Sequence, residues 1–124
     1  MDREIIVTSE APEAIGPYSQ AIRAGNMLFT SWQIGLTPEG KLVEGIENQT
    51  HQVLKNLLAI LRAAGFRVED VVKVTIYLKD LKDFAKVNQI YEGYFAHKPA
   101  RSTVQVADLP LWALVEIDVV AVRR

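Results

Sequence analysis

A chain of 124 residues, 49% hydrophobic and 23% charged, has the size and balance of one soluble domain spanning residues 1–124 with enough apolar mass for a core. Its net charge of −1 argues against general attraction to nucleic acid or to an acidic membrane surface. The absence of cysteine excludes disulfides, thiolate nucleophiles and cysteine-based metal sites, and His51 and His97 stand at no spacing that a zinc motif uses.

The opening M-D-R-E-I-I-V has no signal-peptide apolar region, and no run is long enough to cross a bilayer, so a cytoplasmic protein is expected. Ile5 to Thr8 reads as a short strand, followed by the turn-prone S-E-A-P-E-A-I-G-P. Runs at Tyr18–Ala24 and Met27–Trp32 flank Gly25-Asn26 and predict an antiparallel hairpin. T-P-E-G-K at 37–41 is a further turn. Ile46 to Ala64 carries an apolar stripe of Ile46, Val53, Leu54, Leu57, Leu58 and Leu61, which predicts a helix that Gly65 closes. From Val72 to Leu78 apolar and polar residues alternate, as in a strand with one face in a core.

Asp80 is placed to cap a second helix running to about Phe95, with Phe84, Val87, Tyr91, Tyr94 and Phe95 on its buried side. Strands at about Arg101–Val106 and Leu114–Val122 complete the order β-β-β-α-β-α-β-β. Two helices on one face of a mixed sheet make an α+β fold. The other face carries Tyr18, Tyr77, Val120 and Val104 or its neighbours, so a homo-oligomer that covers it is expected.

The last two strands each hold a charge out of place. Arg101 opens the first, and Glu116 lies between Val115 and Ile117 in the second. Alternation puts Arg101, Thr103 and Gln105 on one face, and Glu116, Asp118 and Val120 on one face of their own strand. If the two strands pair antiparallel, Arg101 and Glu116 reach one side of one sheet. Spacing alone then favours an ion pair between them, because the planar guanidinium fork suits a carboxylate.

P-A-R-S-T-V followed by L-V-E-I-D resembles the signature of the Rid family, the YjgF-type reactive-intermediate (enamine/imine) deaminases. The resemblance spans nearly the whole chain. It takes in A-I-G-P-Y-S-Q at 14–20, T-S-W-Q-I at 30–34, Q-V-L-K-N-L-L-A-I-L-R-A-A-G at 52–65, D-V-V-K-V-T-I-Y-L-K-D-L-K-D-F at 70–84, V-N-Q-I-Y at 87–91 and the terminal V-A-V-R-R.

The resemblance implies a chorismate-mutase-like α+β fold. Three subunits would join their sheets into a central barrel, with active sites in the clefts between them. It implies hydrolysis of 2-imino acids to 2-keto acids and ammonia without cofactor or metal. Arg101 would hold the substrate carboxylate and Glu116 would handle the attacking water. Tyr18 would line the pocket, Asn88 would support it by hydrogen bonding, and Ser31 and Thr103 would add contacts. This reverses the ion-pair reading of Arg101 and Glu116.

Without the resemblance, Tyr18 reads as a core aromatic, Asn88 as a solvated helix residue, and Ser31 and Thr103 as ordinary strand residues. The chain departs from the family pattern at Trp32, where glycine is usual, and an indole there would alter the pocket. Thr103 replaces a frequent cysteine, and Ala96-His97-Lys98 is a short link. Two other readings follow from these features and the family's reputation. One is a noncatalytic binder of small carboxylates with the pocket altered by Trp32. The other is an endoribonuclease or translation inhibitor, which the near-neutral charge does not favour.

Overall fold

A computed structural model describes residues 2–124. Its strands are β1 (Arg3–Ile6), β2 (Ala21–Ala24), β3 (Met27–Thr30), β4 (Gln33–Ile34), β5 (Val71–Leu78), β6 (Ala100–Gln105) and β7 (Val115–Val122). Helix α1 (Ile46–Ala64) precedes β5, and α2 (Phe84–Tyr94) lies between β5 and β6. The strands form one mixed sheet in the order β1-β2-β3-β7-β5-β6, with β4 also on β7. Only β5 and β6 are parallel, and α2 supplies the crossover that parallel neighbours need.

The apolar stripe of α1 explains where the core sits. Val53, Leu54, Leu57, Ile60 and Leu61 are fully buried against Leu28, Val74, Ile76, Ile117 and Val119 from the sheet. Each such side chain removed from water stabilises the fold by about 1.5–3 kcal/mol. Helix α2 adds Val87, Tyr91 and Phe95 to the same cluster, so both helices cover one face. The helix ends where expected, at Gly65, whose φ of 81° closes it in the left-handed region that glycine favours.

Three buried polar residues of α1 do a second job. Thr50 returns its hydroxyl to Ile46 O. Gln49 donates to Val43 O at 3.0 Å and accepts from Leu114 N at 2.8 Å. Asn56 donates to Leu36 O at 2.9 Å. Gln49 and Asn56 thereby fix the segment after β4 and the entry to β7, which hold the residues of interest. The approach is close: a Cβ on Gly35 would lie 2.9 Å from Gln49, so only glycine fits there.

Several expected boundaries move. The first strand is Arg3–Ile6 rather than Ile5–Thr8. Tyr18–Gln20 is not strand, because Gln20 turns inward to bond Thr8 N and O and Pro12 O, tying down the preceding loop. The strand expected over Met27–Trp32 stops at Thr30, whose hydroxyl takes over the ladder by accepting from Val119 N at 3.0 Å and donating to Val119 O. The chain rejoins β7 as β4, so four strands precede α1 instead of three. Asp80 caps a short 3-10 turn at Leu81–Asp83, and α2 starts at Phe84. Phe84, expected in the core, is half exposed.

The uncovered sheet face is only partly apolar. Tyr77 and Val120 lie on it, together with the exposed Ile5, Phe29 and Val104. Part of it is sheltered by a satellite cluster of Ile34, Leu36, Leu109 and Ala113, against which Trp32 and Tyr77 pack.

Candidate active site

The register decides where the two unusual charges go. Arg101 is opposite Val74, a core residue, so its side chain lies on the helix-covered face. Glu116 is opposite Tyr77 on β5 and Ile34 on β4, which puts it on the uncovered face. Strands β6 and β7 do not pair; β5 separates them. The condition for an ion pair within one chain, antiparallel pairing of the last two strands, is therefore not met, and the two charges lie on opposite faces. The salt bridges among the described residues are Arg23–Glu4, Lys79–Asp108 and Lys82–Asp80.

Arg101 is held rigidly. Its Nη1 donates to Asn88 Oδ1 at 2.6 Å. The Tyr91 ring lies 4.8 Å from its Cζ and the Phe84 ring 5.5 Å. Each such cation–π contact contributes about 0.5–2 kcal/mol. The guanidinium borders an open cleft of about 660 Å³ with Asn88, Glu92, Lys98 and Pro99. Asn88 is thus turned inward and sets the angle of the guanidinium, while its neutral amide leaves the positive charge unpaired. Thr103, two residues along the same face, has a buried hydroxyl without a hydrogen-bond partner among the described residues, as does Tyr91. Burial pushes the Tyr91 phenol up, with Arg101 pulling the other way.

Glu116 occupies a different environment. With Trp32, Tyr77, Asp118 and Asp108 it borders a basin of about 430 Å³ on the other face. Its Oε1 is buried and unpartnered among the described residues. Burial beside the satellite cluster, and then the Asp118 carboxyl, push its pKa up to about 7. A carboxyl in that state can hold or release a proton near neutrality, as a general base for water requires.

The remaining sequence candidates gather on the Glu116 side. The Tyr18 and Trp32 rings lie 6.3 Å apart and line a small cavity with Ile15 and Ile34. Trp32 borders both that cavity and the Glu116 basin. Ser31 donates its hydroxyl to Ser19 O and its amide to Gln20 O, so its donors hold the Tyr18 segment in place. Within one chain, then, Arg101, Asn88 and Thr103 form one group, and Glu116, Trp32, Tyr18 and Ser31 another.

Sequence reading missed the aromatic walls of Arg101, the Tyr77–Asp118 contact beside Glu116, and the place of Lys98 at the border of the Arg101 cleft. Phe84 and Tyr91 sit at i, i+7 on α2, a spacing that also fits plain core packing. Backbone strain marks the same regions. The non-glycine residues with positive φ are Lys98 (57°), at the Arg101 cleft, and Leu111 (56°) and Trp112 (61°), just after the Pro110 that borders the Glu116 basin. Among the described residues no group of three or more His, Asp or Glu is arranged to hold a metal ion.

The likeness to known proteins covers the whole arrangement. Residues 8–123 match the family model described as Endoribonuclease L-PSP. The chain is 56% identical to the Reactive Intermediate Deaminase A, chloroplastic, of Arabidopsis thaliana over 96% of this chain and 65% of that protein. It is 48% identical to the 2-iminobutanoate/2-iminopropanoate deaminase of Escherichia coli over 96% of this chain and 97% of that one. A crystal structure from Yersinia pestis, of a protein of unknown function of the conserved Rid protein family, superposes with a TM-score of 0.95 at 48% identity, covering 98% of this chain and all of the other. By the family model and by full-length identity of about half, the chain belongs to the Rid family.

Proposed function

We propose that the protein is a cytoplasmic deaminase of reactive 2-imino acids, of the 2-iminobutanoate and 2-iminopropanoate type, and that it works as a homotrimer with sites between subunits. The observation that carries the reading is the state of Arg101. It is walled by two aromatic rings, aimed by a neutral amide, and open to a cleft, and no carboxylate among the described residues, Glu92 of the same cleft included, is bonded to it. Such a cation suits a small carboxylate ligand. The names of the plant and E. coli relatives point to the same chemistry.

Arg101 binds the substrate carboxylate. Glu116 takes a proton from water as the new C–O bond forms at the imine carbon, and the imine nitrogen gains a proton. Glu116, having passed its first proton to that nitrogen, takes the hydroxyl proton of the tetrahedral intermediate and hands it on as the C–N bond breaks, releasing ammonia and leaving a 2-keto acid. One water is consumed, and neither redox chemistry nor a cofactor enters the balance. Orientation of water and imine supplies much of the rate.

The two groups face opposite ways within one chain, so a second copy must bring its Glu116 basin to the Arg101 cleft. The unpaired outer edge of β6 and the exposed Ile5, Phe29 and Val104 support such a contact. The test generates short 2-imino acids with an amino-acid oxidase and follows imine loss with and without the protein. Acceleration that disappears in Arg101→Ala supports the reading. No acceleration by a protein of verified trimer mass would falsify it. Binding of 2-keto acids without turnover points instead to a carboxylate-binding member altered at Trp32. Ribonuclease activity that persists through repurification and vanishes in Glu116→Gln favours the activity in the family model's description.

A further inference from the structure

Besides Glu116, the uncovered face holds a second carboxylate that the proposed reaction does not use. Asp118 is two residues on along β7, on the same face, with its Cα about 7 Å from that of Glu116. Tyr77 stands directly opposite Glu116 in the register, yet its hydroxyl donates diagonally to Asp118 Oδ2 at 3.2 Å. The phenol is therefore committed to the second carboxylate, and Glu116 Oε1 receives no donor among the described residues. Tyr77, Glu116 and Asp118 border the same basin.

We propose that Asp118, anchored by Tyr77, is a positioning residue that acts on the reaction through Glu116. The inference rests on the deaminase reading for its link to turnover, but the coupling between the side chains stands apart from it. Two half-buried carboxyls this close do not ionise independently. Burial raises the Asp118 pKa, offset in part by two neighbours that favour its charged form, the Tyr77 hydroxyl and Lys73. Glu116 has none, only burial and Asp118 itself. Asp118 thus gives up its proton first, and its negative charge makes Glu116 keep one until near neutral pH. Tyr77, whose phenol burial and Asp118 both push up, remains a donor throughout.

Within one chain the other charged groups around Glu116 do not change this order, and the Arg101 that a second copy brings in the proposed trimer lowers the Glu116 midpoint in parent and variants alike. Lys73 Nζ is directed to Ser102 Oγ at 2.9 Å. Asp108, on the loop bordering the basin, is paired with Lys79 at 3.4 Å. Strand β4 presents Ile34 and the segment before it Trp32, neither of which titrates.

The consequence is a base that is strong for its class. A carboxylate ionising near pH 7 takes a proton from water more readily than one ionising near 4.

The experiment titrates Glu116 by carbon-13 NMR of labelled glutamate carboxyls in the intact oligomer, with its signal assigned by loss in Glu116→Gln. The same proteins give the pH profile of imine hydrolysis. Asp118→Asn is expected to lower the Glu116 midpoint by about one pH unit and to move the acidic limb of the profile down with it. Tyr77→Phe is expected to lower it by less, and the double variant no further than Asp118→Asn alone. A Glu116 midpoint unchanged in Asp118→Asn overturns the proposal, as does a double variant in which the two shifts add. A midpoint that moves while Glu116→Gln hydrolyses imine like the parent removes the proposed role of Glu116 in turnover and leaves only the coupling. Both substitutions stay close in size to the parent side chains, and a Glu116 midpoint unchanged in Tyr77→Phe overturns the anchoring by Tyr77 if Asp118→Asn assembles poorly.

Discussion

Arg101 and Glu116 are both charged groups drawn out of bulk water, and the chain treats them in opposite ways. Around Arg101 the fold supplies everything a cation accepts short of an anion: two ring faces and an amide oxygen. The charge is kept, and its direction is fixed. Around Glu116 it supplies apolar neighbours and a second carboxyl, with no donor to its buried oxygen among the described residues. There the charge itself is made expensive. One group is built to stay ionised in one pose; the other is built to change its state. That division matches a reaction in which the substrate's carboxylate is constant and the water's proton moves.

The largest effect is expected on the Arg101 side. Arg101→Ala should lower kcat/KM for a 2-imino acid by about 10²- to 10³-fold, because the substrate carboxylate loses its charge-assisted partner. Arg101→Lys should recover only part of this, since an ammonium has neither the fork nor the flat face that Tyr91 and Phe84 clamp. A lysine variant as active as the parent would show that charge alone suffices.

On the other side, Glu116→Gln should reduce kcat by about 10²-fold with little change in KM, as expected for a group that handles a proton and does not hold the substrate. Equal losses in KM for both variants would erase the contrast between the halves.

A smaller effect should come from Asn88, which holds Arg101 by one hydrogen bond at the edge of the same cleft. Asn88→Ala should raise KM by about tenfold while leaving the pH profile in place, consistent with the loss of one hydrogen bond to a charged group. An unchanged KM would mean that the aromatic walls alone fix the guanidinium.

How much of this the sequence revealed depends on how local the cause is. The span of α1 and its Gly65 cap are written in a stripe and one residue, and both are where expected. The alternation of β7, and that of β5 from Lys73 on, likewise told which residues share a face. Val72, expected with Val74, Ile76 and Leu78, is exposed, because a bulge between Val71 and Lys73 puts Val71 inside instead. The partnership of strands is not local. Nothing in Arg101–Val106 says that it runs parallel to β5 on the far side from β7; α2 sets that by carrying the chain across. The break after Thr30 was hidden for a similar reason, because it depends on a hydroxyl meeting Val119, 89 residues away. The family motif singled out Arg101, Glu116 and Asn88, whereas Tyr77 and Asp118 needed the cross-strand register to acquire meaning.

The smallest effect is thermodynamic, and it tests the claim that charge at Glu116 is costly. Its folded pKa of about 7 lies above the ordinary value of 4.5. A raised carboxyl pKa means that the folded state binds the extra proton between those values, so stability falls as pH rises from about 4.5 through 7. Below that window both states are protonated, and nothing is lost. Glu116→Gln has no charge to bury. At pH 8 it should therefore be more stable than the parent by about 1 kcal/mol, a figure reduced for the water that still reaches the outer oxygen. At pH 4.5 most of the difference should vanish. Denaturant unfolding at the two pH values, at one fixed protein concentration because assembly contributes to stability, reads this directly. A difference that is the same at both would mean the glutamate's shape, and not its charge, is what the uncovered face resists.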